Sequence, residues 1–459
     1  MPINLQDTIV ALATPSGVGA IGVIRLSGDQ AIQICNKAFK GKNLLTQQSH
    51  TIHFGTIRDE DNNIIDEVLV SLFVAPKSYT GEHVVEISCH GSNYIIQQII
   101  QLFLRNGARM AQPGEFTMRA FLNGQLDLSQ AEAVADLIAS DSSAAHSMAM
   151  NQMRGGFSSE IQKLREELIH FASLIELELD FSEEDVEFAD RDDLKNLIYK
   201  IQQLIKRLTD SFQLGNVIKN GVTTVIAGRP NAGKSTLLNA LLNEERAIVS
   251  EIAGTTRDTI EEILNINGVQ FRIIDTAGIR EATDKIEAIG VQKAMQEIER
   301  SSILVYVYDA AELSEAELQH DLQKLNRADM TTIVIANKMD LVNNNQQGST
   351  TDDTSLRLNI SAKEKNNIKA VETALYNAVA DGQINLQSTI VSNTRHYDAL
   401  QKAYTSLDDV LNGMTMGITG DFLAQDIRHA LIYLGEITGA IDVDEDILGN
   451  IFGKFCIGK

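Results

Sequence analysis

Cysteine is scarce in this chain, tryptophan is absent, and no long apolar run occurs. Among 459 residues there are three widely spaced cysteines and no C-x-x-C pair. This spacing supports neither a disulfide framework nor a cysteine metal site, so we expect a cytoplasmic protein. No stretch approaches the roughly eighteen apolar residues of a membrane helix, and the start lacks the features of an export signal. We therefore expect neither a membrane span nor export.

Basic residues are also under-represented. The chain has 39 Lys and Arg against 62 Asp and Glu, which gives a formal net charge of −23. Such a surface argues against broad electrostatic wrapping of nucleic acid and against binding to anionic membranes. It leaves room for a local basic patch or a basic partner. With 44% hydrophobic residues, a chain of this length should build two to four domains, each with its own core.

A phosphate-binding loop is the first positive signal. Residues 228–235 read GRPNAGKS and follow the apolar run Val222 to Ala227. In the strand-loop-helix setting, backbone N–H groups surround the β-phosphate, the lysine reaches the β- and γ-oxygens, and the serine ligates Mg²⁺. The candidate phosphate-binding residues are Asn231, Ala232, Gly233, Lys234, Ser235 and Thr236, with Lys234 also a catalytic candidate.

Four further motifs follow in the order that a Ras-like GTPase requires. They read GTTRD at 254–258, DTAG at 275–278, NKMD at 337–340 and SAK at 361–363. Three of the motifs follow apolar, strand-like runs, as expected of an alternating α/β domain. The nucleotide-binding candidates that they add are Gly254, Thr255, Thr256, Asp275, Thr276, Ala277, Gly278, Asn337, Lys338, Asp340, Ser361, Ala362 and Lys363.

The fourth motif identifies the base, and the third lacks an expected residue. The Asp340 carboxylate can accept two hydrogen bonds from guanine, which adenine cannot donate, so the predicted ligand is GTP. In Ras-like proteins a glutamine after D-x-x-G orients the attacking water. Here Ile279 occupies that position. Either hydrolysis is very slow, or other groups position the water and offset the transition-state charge.

The periodicity of apolar residues predicts a multidomain chain of α+β and α/β parts. Residues 1–120 are predicted to form an α+β domain and 121–215 a first helical part. Residues 216–380 form the GTPase domain, and 381–459 a second helical part ending in Cys-Ile-Gly-Lys. We expect the two helical parts to build one bundle into which a Ras-like P-loop GTPase domain is inserted.

Three weaker signals favour structural explanations. Gly17 to Gly22 matches G-x-G-x-x-G, but a strand pattern follows, so a turn between strands is expected. The acidic run 180–193 is more typical of a solvated helix end than of a metal site. Cys89 and His90 resemble half of a nucleophile pair, although no third group is evident.

Two segments favour a specific role. Residues 112–128 contain too many Gly, Asn and Arg residues for an ordinary core. Near the chain end, an apolar stripe predicts that the terminal residues dock rather than fray. The stripe consists of Ile447, Leu448, Ile451, Phe452 and Phe455.

Taken together, these motifs resemble the MnmE (or TrmE) family of tRNA-modification GTPases over essentially the whole chain. The resemblance implies a cytoplasmic homodimer, formed through the N-terminal domain, that assembles with the flavoprotein MnmG as a heterotetramer. It implies addition of an aminomethyl or carboxymethylaminomethyl group to C5 of the wobble uridine of certain tRNAs. The one-carbon unit comes from 5,10-methylene- or 5-formyl-tetrahydrofolate. The residues that carry the resemblance lie at 7–11, 14–15, 79–82, 113–116, 228–235, 254–258 and 456–459.

The resemblance also implies how GTP is hydrolysed although Ile279 stands in place of the usual glutamine. In the family a K⁺ ion replaces an arginine finger, which is reasonable because a cation beside the phosphates offsets developing charge. Glu287 would position the attacking water through a second water, with an exposed helix residue as the alternative interpretation. Mg²⁺ would be held by Ser235 and Thr256. The K⁺ ligands would be Asn231, Ser250, Ile252 and Thr255, within a nucleotide-binding loop that also contains Glu251 and Ala253.

For folate, the resemblance implicates Arg25, Glu86, Gln125 and Lys459. Gln125 stands where a lysine is usual and cannot pair as a charge with a folate carboxylate. Arg25 is expected at a strand end, and Glu86 as a lone carboxylate on a strand face. Cys456 is a candidate nucleophile, with a structural role as the alternative. A ribosome-assembly GTPase and a signalling GTPase remain alternative functions; neither requires folate.

Overall fold

The computed structural model describes residues 6–180, 190–244, 261–275, 301–325, 327, 330–342, 350–352, 355–379, 389–440, 451–453 and 455–458. The chain divides into two compact units. The first contains residues 1–135, 152–198 and 402–459, and the second contains residues 136–151 and 199–401.

The N-terminal part of the first unit is built on a seven-stranded sheet. Its strand order is β3-β4-β5-β6-β2-β1-β7, and only the β1–β7 pair is parallel. Helices α1 (Ala31–Ala38) and α2 (Asn93–Arg105) supply apolar side chains to the core on one face of this sheet. The strands are β1 (Ile9–Leu12), β2 (Ile21–Ser27), β3 (Phe39–Lys40), β4 (Thr51–Arg58), β5 (Ile64–Phe73), β6 (Val84–His90) and β7 (Arg109–Met110).

The opposite face is covered near β1 by helix α3 (Glu115–Leu122). Phe116 of α3 packs with Ile9 and Ala11, so β1 is buried on both faces. The glycine-rich segment 17–22 lies at the end of the connection from β1 to β2 and includes the first two residues of β2, and Gly19 N donates to Gly91 O at 3.0 Å. This segment is therefore a turn between strands, as the sequence indicated.

A buried ion network fixes α3 to the sheet. Arg119 is 0% exposed, and its guanidinium donates to Asp7 Oδ1 at 2.6 Å, Glu115 Oε1 at 3.0 Å and Glu82 at 3.2 Å. Arg109 donates to the same Glu115 oxygen at 2.6 Å and to Asp7 Oδ2 at 2.7 Å. Each arginine thus bridges carboxylates from separate segments of the chain, which is the arrangement that makes buried charges tolerable.

This network accounts for Glu115 and Arg119, two of the polar residues within 112–128. The segment does form core, but its core is ionic as well as apolar. Burial alone would raise the pKa of Asp7 and Glu115, yet the arginine hydrogen bonds outweigh burial and lower both below 3.8 and 4.5 respectively. A lowered folded-state pKa stabilises the fold above the unfolded value. That contribution is therefore lost as the pH falls through the lowered values.

Long helices follow the N-terminal sheet. Helix α6 packs along α13, which lies beyond the nucleotide-binding segment, and Arg428 Nε donates to Glu176 Oε1 at 3.0 Å. A helix before that segment and a helix after it therefore contact each other. Within the described residues, no helix has the length and apolarity needed to cross a membrane. The helices are α4 (Leu128–Ile138), α5 (Ser143–Met153), α6 (Gly156–Asp180), α7 (Arg191–Asp210), α8 (Phe212–Asn220), α12 (Thr394–Met416) and α13 (Gly420–Thr438).

The described terminal residues dock against the N-terminal part. Phe452 is buried with Met118 and Leu128, and Phe455 packs against the same cluster. Gly114 has a φ of +67°, and a Cβ there would lie 2.6 Å from Phe452 O, so only glycine allows this approach. The docking prediction is confirmed for 451–453 and 455–458; Ile447 and Leu448 lie outside the described residues.

The second unit contains a second seven-stranded sheet of order β13-β14-β12-β11-β8-β10-β9. The five inner strands are parallel, and the outer two pair antiparallel. Apolar cores lie against this sheet, and α9, α10 and α11 contribute to them. This confirms the predicted fold class. The elements are β8 (Val222–Ala227), α9 (Lys234–Glu244), β9 (Glu261–Ile266), β10 (Val269–Asp275), β11 (Ile303–Asp309), α10 (Glu315–Leu325), β12 (Thr331–Asn337), β13 (Thr350–Asp352), β14 (Ser355–Asn359) and α11 (Ile368–Asn377).

Replacing Arg119 should destabilise the N-terminal part strongly. Arg119→Ala leaves three carboxylates in a buried site with one arginine, and removing one partner of a buried ion pair costs about 3–5 kcal/mol. The matched control is Arg105→Ala, because Arg105 is half-exposed and lies 3.8 Å from an exposed Glu60; such pairs contribute about 0–1 kcal/mol. Chemical denaturation should separate the two variants. Equal stability would show that the network does not hold α3.

Candidate nucleotide-binding site

The phosphate loop connects β8 to α9 at the carboxyl edge of the second sheet. Two of its glycines have positive φ angles, +151° at Gly228 and +91° at Gly233. A Cβ at Gly228 would collide with the carbonyl oxygen of Val307, and one at Gly233 with the side chain of Asn337. The loop therefore depends on glycine at both positions, for conformation and for space.

Lys234 starts α9 and reaches back over the loop. The side chain is largely buried, and Nζ donates to Gly228 O at 2.9 Å and to Arg229 O at 3.0 Å. These bonds hold the ammonium group over the loop that would surround a phosphate. Ser235 and Thr236 occupy the first turn of the helix and are exposed, where the helix dipole favours an anion.

Asn337 joins three of the five motifs. Its Nδ2 donates to Ala232 O of the phosphate loop at 2.9 Å, and its Oδ1 accepts from Ala362 N at 3.0 Å. The side chain is buried at the end of β12, which lies next to β11 and β14. A single amide therefore fixes the loop that binds phosphate relative to the loops predicted to bind the base. The NKMD motif predicts that Asn337 lies in the site, but its spacing does not indicate this bridging contact.

The two other polar residues of the fourth motif are oriented by separate partners. Lys338 Nζ pairs with Asp309 Oδ2 at 2.7 Å, which raises the pKa of the lysine. Asp340 is exposed, and its Oδ1 accepts from Ser361 Oγ at 2.6 Å. This bond lowers the pKa of the Asp340 carboxyl. The carboxylate is thus kept ionised and directed, as recognition of guanine N–H groups requires.

Of the other predicted residues of the GTPase site, Asp275 and Lys363 lie within the described part of the chain. Asp275 ends β10, paired in register with Ile226 of β8. Lys363 is exposed beside Ser361 and Ala362. The remaining predicted positions of the GTPase site lie outside the described residues: Ser250, Glu251, Ile252, Ala253, Gly254, Thr255, Thr256, Thr276, Ala277, Gly278, Ile279 and Glu287.

In the first unit, the structure brings together two of the predicted folate residues. Arg25 and Glu86 are ladder partners on β2 and β6, and Arg25 Nε donates to Glu86 Oε1 at 2.9 Å. The expectation of a lone carboxylate was therefore wrong, since cross-strand pairing puts a cation opposite it. The expectation that Arg25 ends a strand was also wrong, because β2 continues to Ser27.

Aromatic rings and the terminal segment surround the Arg25 guanidinium. The rings of Tyr79 and Phe116 lie 5.5 and 5.6 Å from it, and Arg25 NH1 donates to Gly458 O at 3.3 Å. The docked tail therefore reaches the Arg25–Glu86 pair. Lys459 lies outside the described residues.

The other residues predicted near this site differ in their surroundings. Gln125 is exposed beside Gly81, where a Cβ would lie 3.3 Å from Gln125 Nε2. The Cys456 thiol is exposed, and its backbone oxygen accepts from Gly114 N at 3.5 Å. Burial raises the pKa of Cys89 to about 11, and its thiol donates to Gly22 O at 3.4 Å, which is unsuited to a nucleophile.

Comparison with known proteins covers nearly the whole chain. Residues 8–125 match the model of the GTP-binding protein TrmE N-terminus, and residues 128–456 match that of the MnmE helical domain. A relative from Cytophaga hutchinsonii named tRNA modification GTPase MnmE is 57% identical, covering 99% of this chain and 98% of its own. A relative of the same name from Flavobacterium psychrophilum is 56% identical, covering 99% of both chains.

The chain belongs to the MnmE family. As a member of that family it is a tRNA modification GTPase. Among solved structures, a crystal structure of Era from Aquifex aeolicus matches 40% of this chain and 66% of its own at 25% identity, with a TM-score of 0.28.

Replacing Asp340 should change base specificity. In Asp340→Asn one acceptor oxygen becomes an NH₂ donor that faces the guanine donors, so GTP affinity should fall by roughly 30- to 1000-fold. Xanthosine triphosphate carries a carbonyl where guanine has its amino group, and should gain affinity. Titration calorimetry with both nucleotides measures the switch, with Glu364→Gln, an exposed carboxylate nearby, as control. Unchanged GTP affinity would mean that Asp340 does not bind the base.

Proposed function

We propose that the protein hydrolyses GTP in a K⁺-dependent manner and uses this cycle, with the flavoprotein MnmG, to modify C5 of the wobble uridine of certain tRNAs. The full-length likeness to relatives named tRNA modification GTPase carries this proposal. The docking of the terminal segment at Arg25 supports it, because it brings a terminal motif of the family to the proposed folate site.

K⁺ dependence is supported by the place of Asn231 in the phosphate loop. The residue has a left-handed backbone, with φ of +63°, and its side chain is exposed. A carboxamide oxygen is a suitable ligand for a hard cation. We infer that Asn231, with oxygen atoms of Ser250, Ile252 and Thr255, would hold K⁺, which would supply the positive charge that an arginine finger supplies in other GTPases.

The remaining residues of the GTPase reaction are proposed by the same family likeness. Ser235 and Thr256 would hold Mg²⁺, which neutralises phosphate charge. Lys234 would contact the β- and γ-phosphates, and Glu287 would orient the attacking water.

The K⁺ proposal predicts a cation preference that a single substitution removes. At matched ionic strength and Mg²⁺, wild-type turnover should be at least about tenfold faster in KCl than in NaCl, since Na⁺ is smaller than K⁺ and fits the same ligands poorly. Asn231→Ala should abolish this preference and retain GDP binding. Asn267→Ala is the matched control, because Asn267 is also exposed with a positive φ of +51° but lies in the β9–β10 turn. Equal wild-type rates in the two salts would contradict the mechanism.

Folate binding is supported by the surroundings of Glu86. Within the described residues, Arg25 contacts only one Glu86 oxygen, Oε1, and the carboxylate side chain is 27% exposed. The other oxygen is suited to accept from the N–H groups of a pterin. We infer that Arg25, Glu86, Gln125 and Lys459 would hold a tetrahydrofolate, which supplies the one-carbon unit, and that Cys456 acts through its backbone.

Binding of 5-formyltetrahydrofolate tests this site. Calorimetry should show binding to the wild type, and a loss of about tenfold or more in Glu86→Ala, since a charge-assisted hydrogen bond contributes about 1.5–3 kcal/mol. Gln125→Lys should tighten binding by restoring a charge for the folate carboxylates. Glu60→Ala provides the control, because Glu60 is an exposed carboxylate of the same unit that lies 3.8 Å from Arg105 and outside the proposed site. Absence of binding to wild type and to Gln125→Lys would defeat the folate assignment and leave the GTPase assignment intact.

Homodimer formation is supported by the exposed apolar face of β4 and β5. Phe54 and Leu69 are cross-strand partners, 67% and 46% exposed, and Ile52 is 66% exposed. Through the ladders β4–β5–β6–β2 these residues share a sheet face with Glu86 and Arg25. A second copy on this face would bury the patch and border the proposed folate site. Light scattering that gives the mass of one chain at micromolar concentration would contradict the dimer.

The tRNA reaction itself is tested by nucleoside analysis of tRNA from cells that lack this protein. The proposal expects loss of the C5 modification at the wobble uridine, and complementation by wild type but not by Asn231→Ala. Retention of the modification would favour the alternative of a GTPase with another role.

A further inference from the structure

Arg229 occupies the second position of the phosphate loop, but its side chain is directed away from it. Its Nε donates to Asp321 Oδ2 at 2.8 Å, and its NH1 to Glu317 Oε1 at 2.9 Å. Both carboxylates belong to α10. Charge-assisted bonds from one planar guanidinium to two acids one turn apart fix both its position and its direction.

The backbone of Arg229 supports the catalytic lysine. Its carbonyl oxygen accepts from Lys234 Nζ at 3.0 Å and from Ala232 N at 3.3 Å. The next residues of the loop are Pro230 and Asn231. The side chain of Arg229 is therefore attached to a helix while its backbone carries the segment that orients Lys234 and presents Asn231.

The carboxylates that hold Arg229 are themselves fixed. Asp321 Oδ2 also accepts from the hydroxyl of buried Tyr306 at 2.6 Å. Glu317 and Ser314 form a reciprocal cap at the start of α10, with Ser314 Oγ donating to Glu317 Oε2 at 2.7 Å. The acidic side of the contact is thus preorganised, and fixing it costs little side-chain entropy when Arg229 binds.

We propose that Arg229 is a positioning residue for GTP hydrolysis. It clamps residues 229–231, the arch of the phosphate loop, to α10 through Glu317 and Asp321. The guanidinium is committed to these carboxylates and is not a source of transition-state charge for its own chain. The clamp fixes the position of the Arg229 carbonyl oxygen, which Lys234 contacts, and the position of the backbone that precedes Asn231. Its loss should loosen this arch without unfolding the domain, because the arginine is partly exposed.

The test compares two arginines that hold the same helix. Arg229→Ala removes the clamp. Arg357→Ala removes the pair of Arg357, on strand β14, with Glu315, with N–O distances of 2.7 and 3.0 Å, which anchors the start of α10. The readouts are the dissociation constant of a fluorescent GDP analogue, the single-turnover rate of GTP hydrolysis at saturating protein, and the thermal midpoint without nucleotide.

Arg229→Ala should weaken GDP binding and slow single-turnover hydrolysis, each by about three- to tenfold, a size suited to partly exposed pairs. Asp321→Asn should change both in the same direction, and Arg229→Lys should recover part of the loss through one remaining contact. Arg357→Ala should leave both constants within twofold of wild type. The proposal is overturned if Arg229→Ala keeps wild-type constants, or if Arg357→Ala loses as much, which would assign the effect to α10 alone.

Discussion

The nucleotide site depends on one buried amide. Asn337 donates to the phosphate loop through Nδ2 and accepts from the segment at Ala362 through Oδ1. Leaving a buried amide without one of its partners costs more free energy than the hydrogen bond contributes to stability. Both loops are therefore held in one geometry. Phosphate recognition and base recognition are consequently parts of a single rigid arrangement at the carboxyl edge of the second sheet, where doubly wound domains bind their ligands.

The N-terminal part also depends on buried polar contacts, which here join charged side chains. Three stretches distant in sequence carry Asp7, Glu82 and the helix of Glu115 and Arg119, and no apolar periodicity connects them. Their oppositely charged side chains meet in the interior and select one arrangement. Apolar contacts favour the packing of α3 against the sheet, and the ion network fixes the position of the helix there.

Sequence patterns predicted strands and motifs well where apolar alternation or glycine spacing is local. Strand β8 has the bounds of the apolar run Val222 to Ala227, and the phosphate loop joins strand to helix as expected. Contacts between distant segments could not be predicted, because spacing along the chain does not encode them. The pairing of Arg25 with Glu86 depends on sheet register, and the bridging role of Asn337 depends on strand order. Polar composition in residues 112–128 indicated a special segment but not its ionic partners.

The network around Arg119 also constrains how this sequence can vary. A substitution at any one member removes hydrogen bonds from the remaining members, whereas a concerted change of several members can restore them. Substitutions at these positions should therefore be strongly epistatic, with individual effects that do not add. A surface pair such as Arg105 and Glu60 imposes no such restriction. In the N-terminal part, substitutions should therefore accumulate quickly at exposed ion pairs. At the buried ion network, several residues should change together.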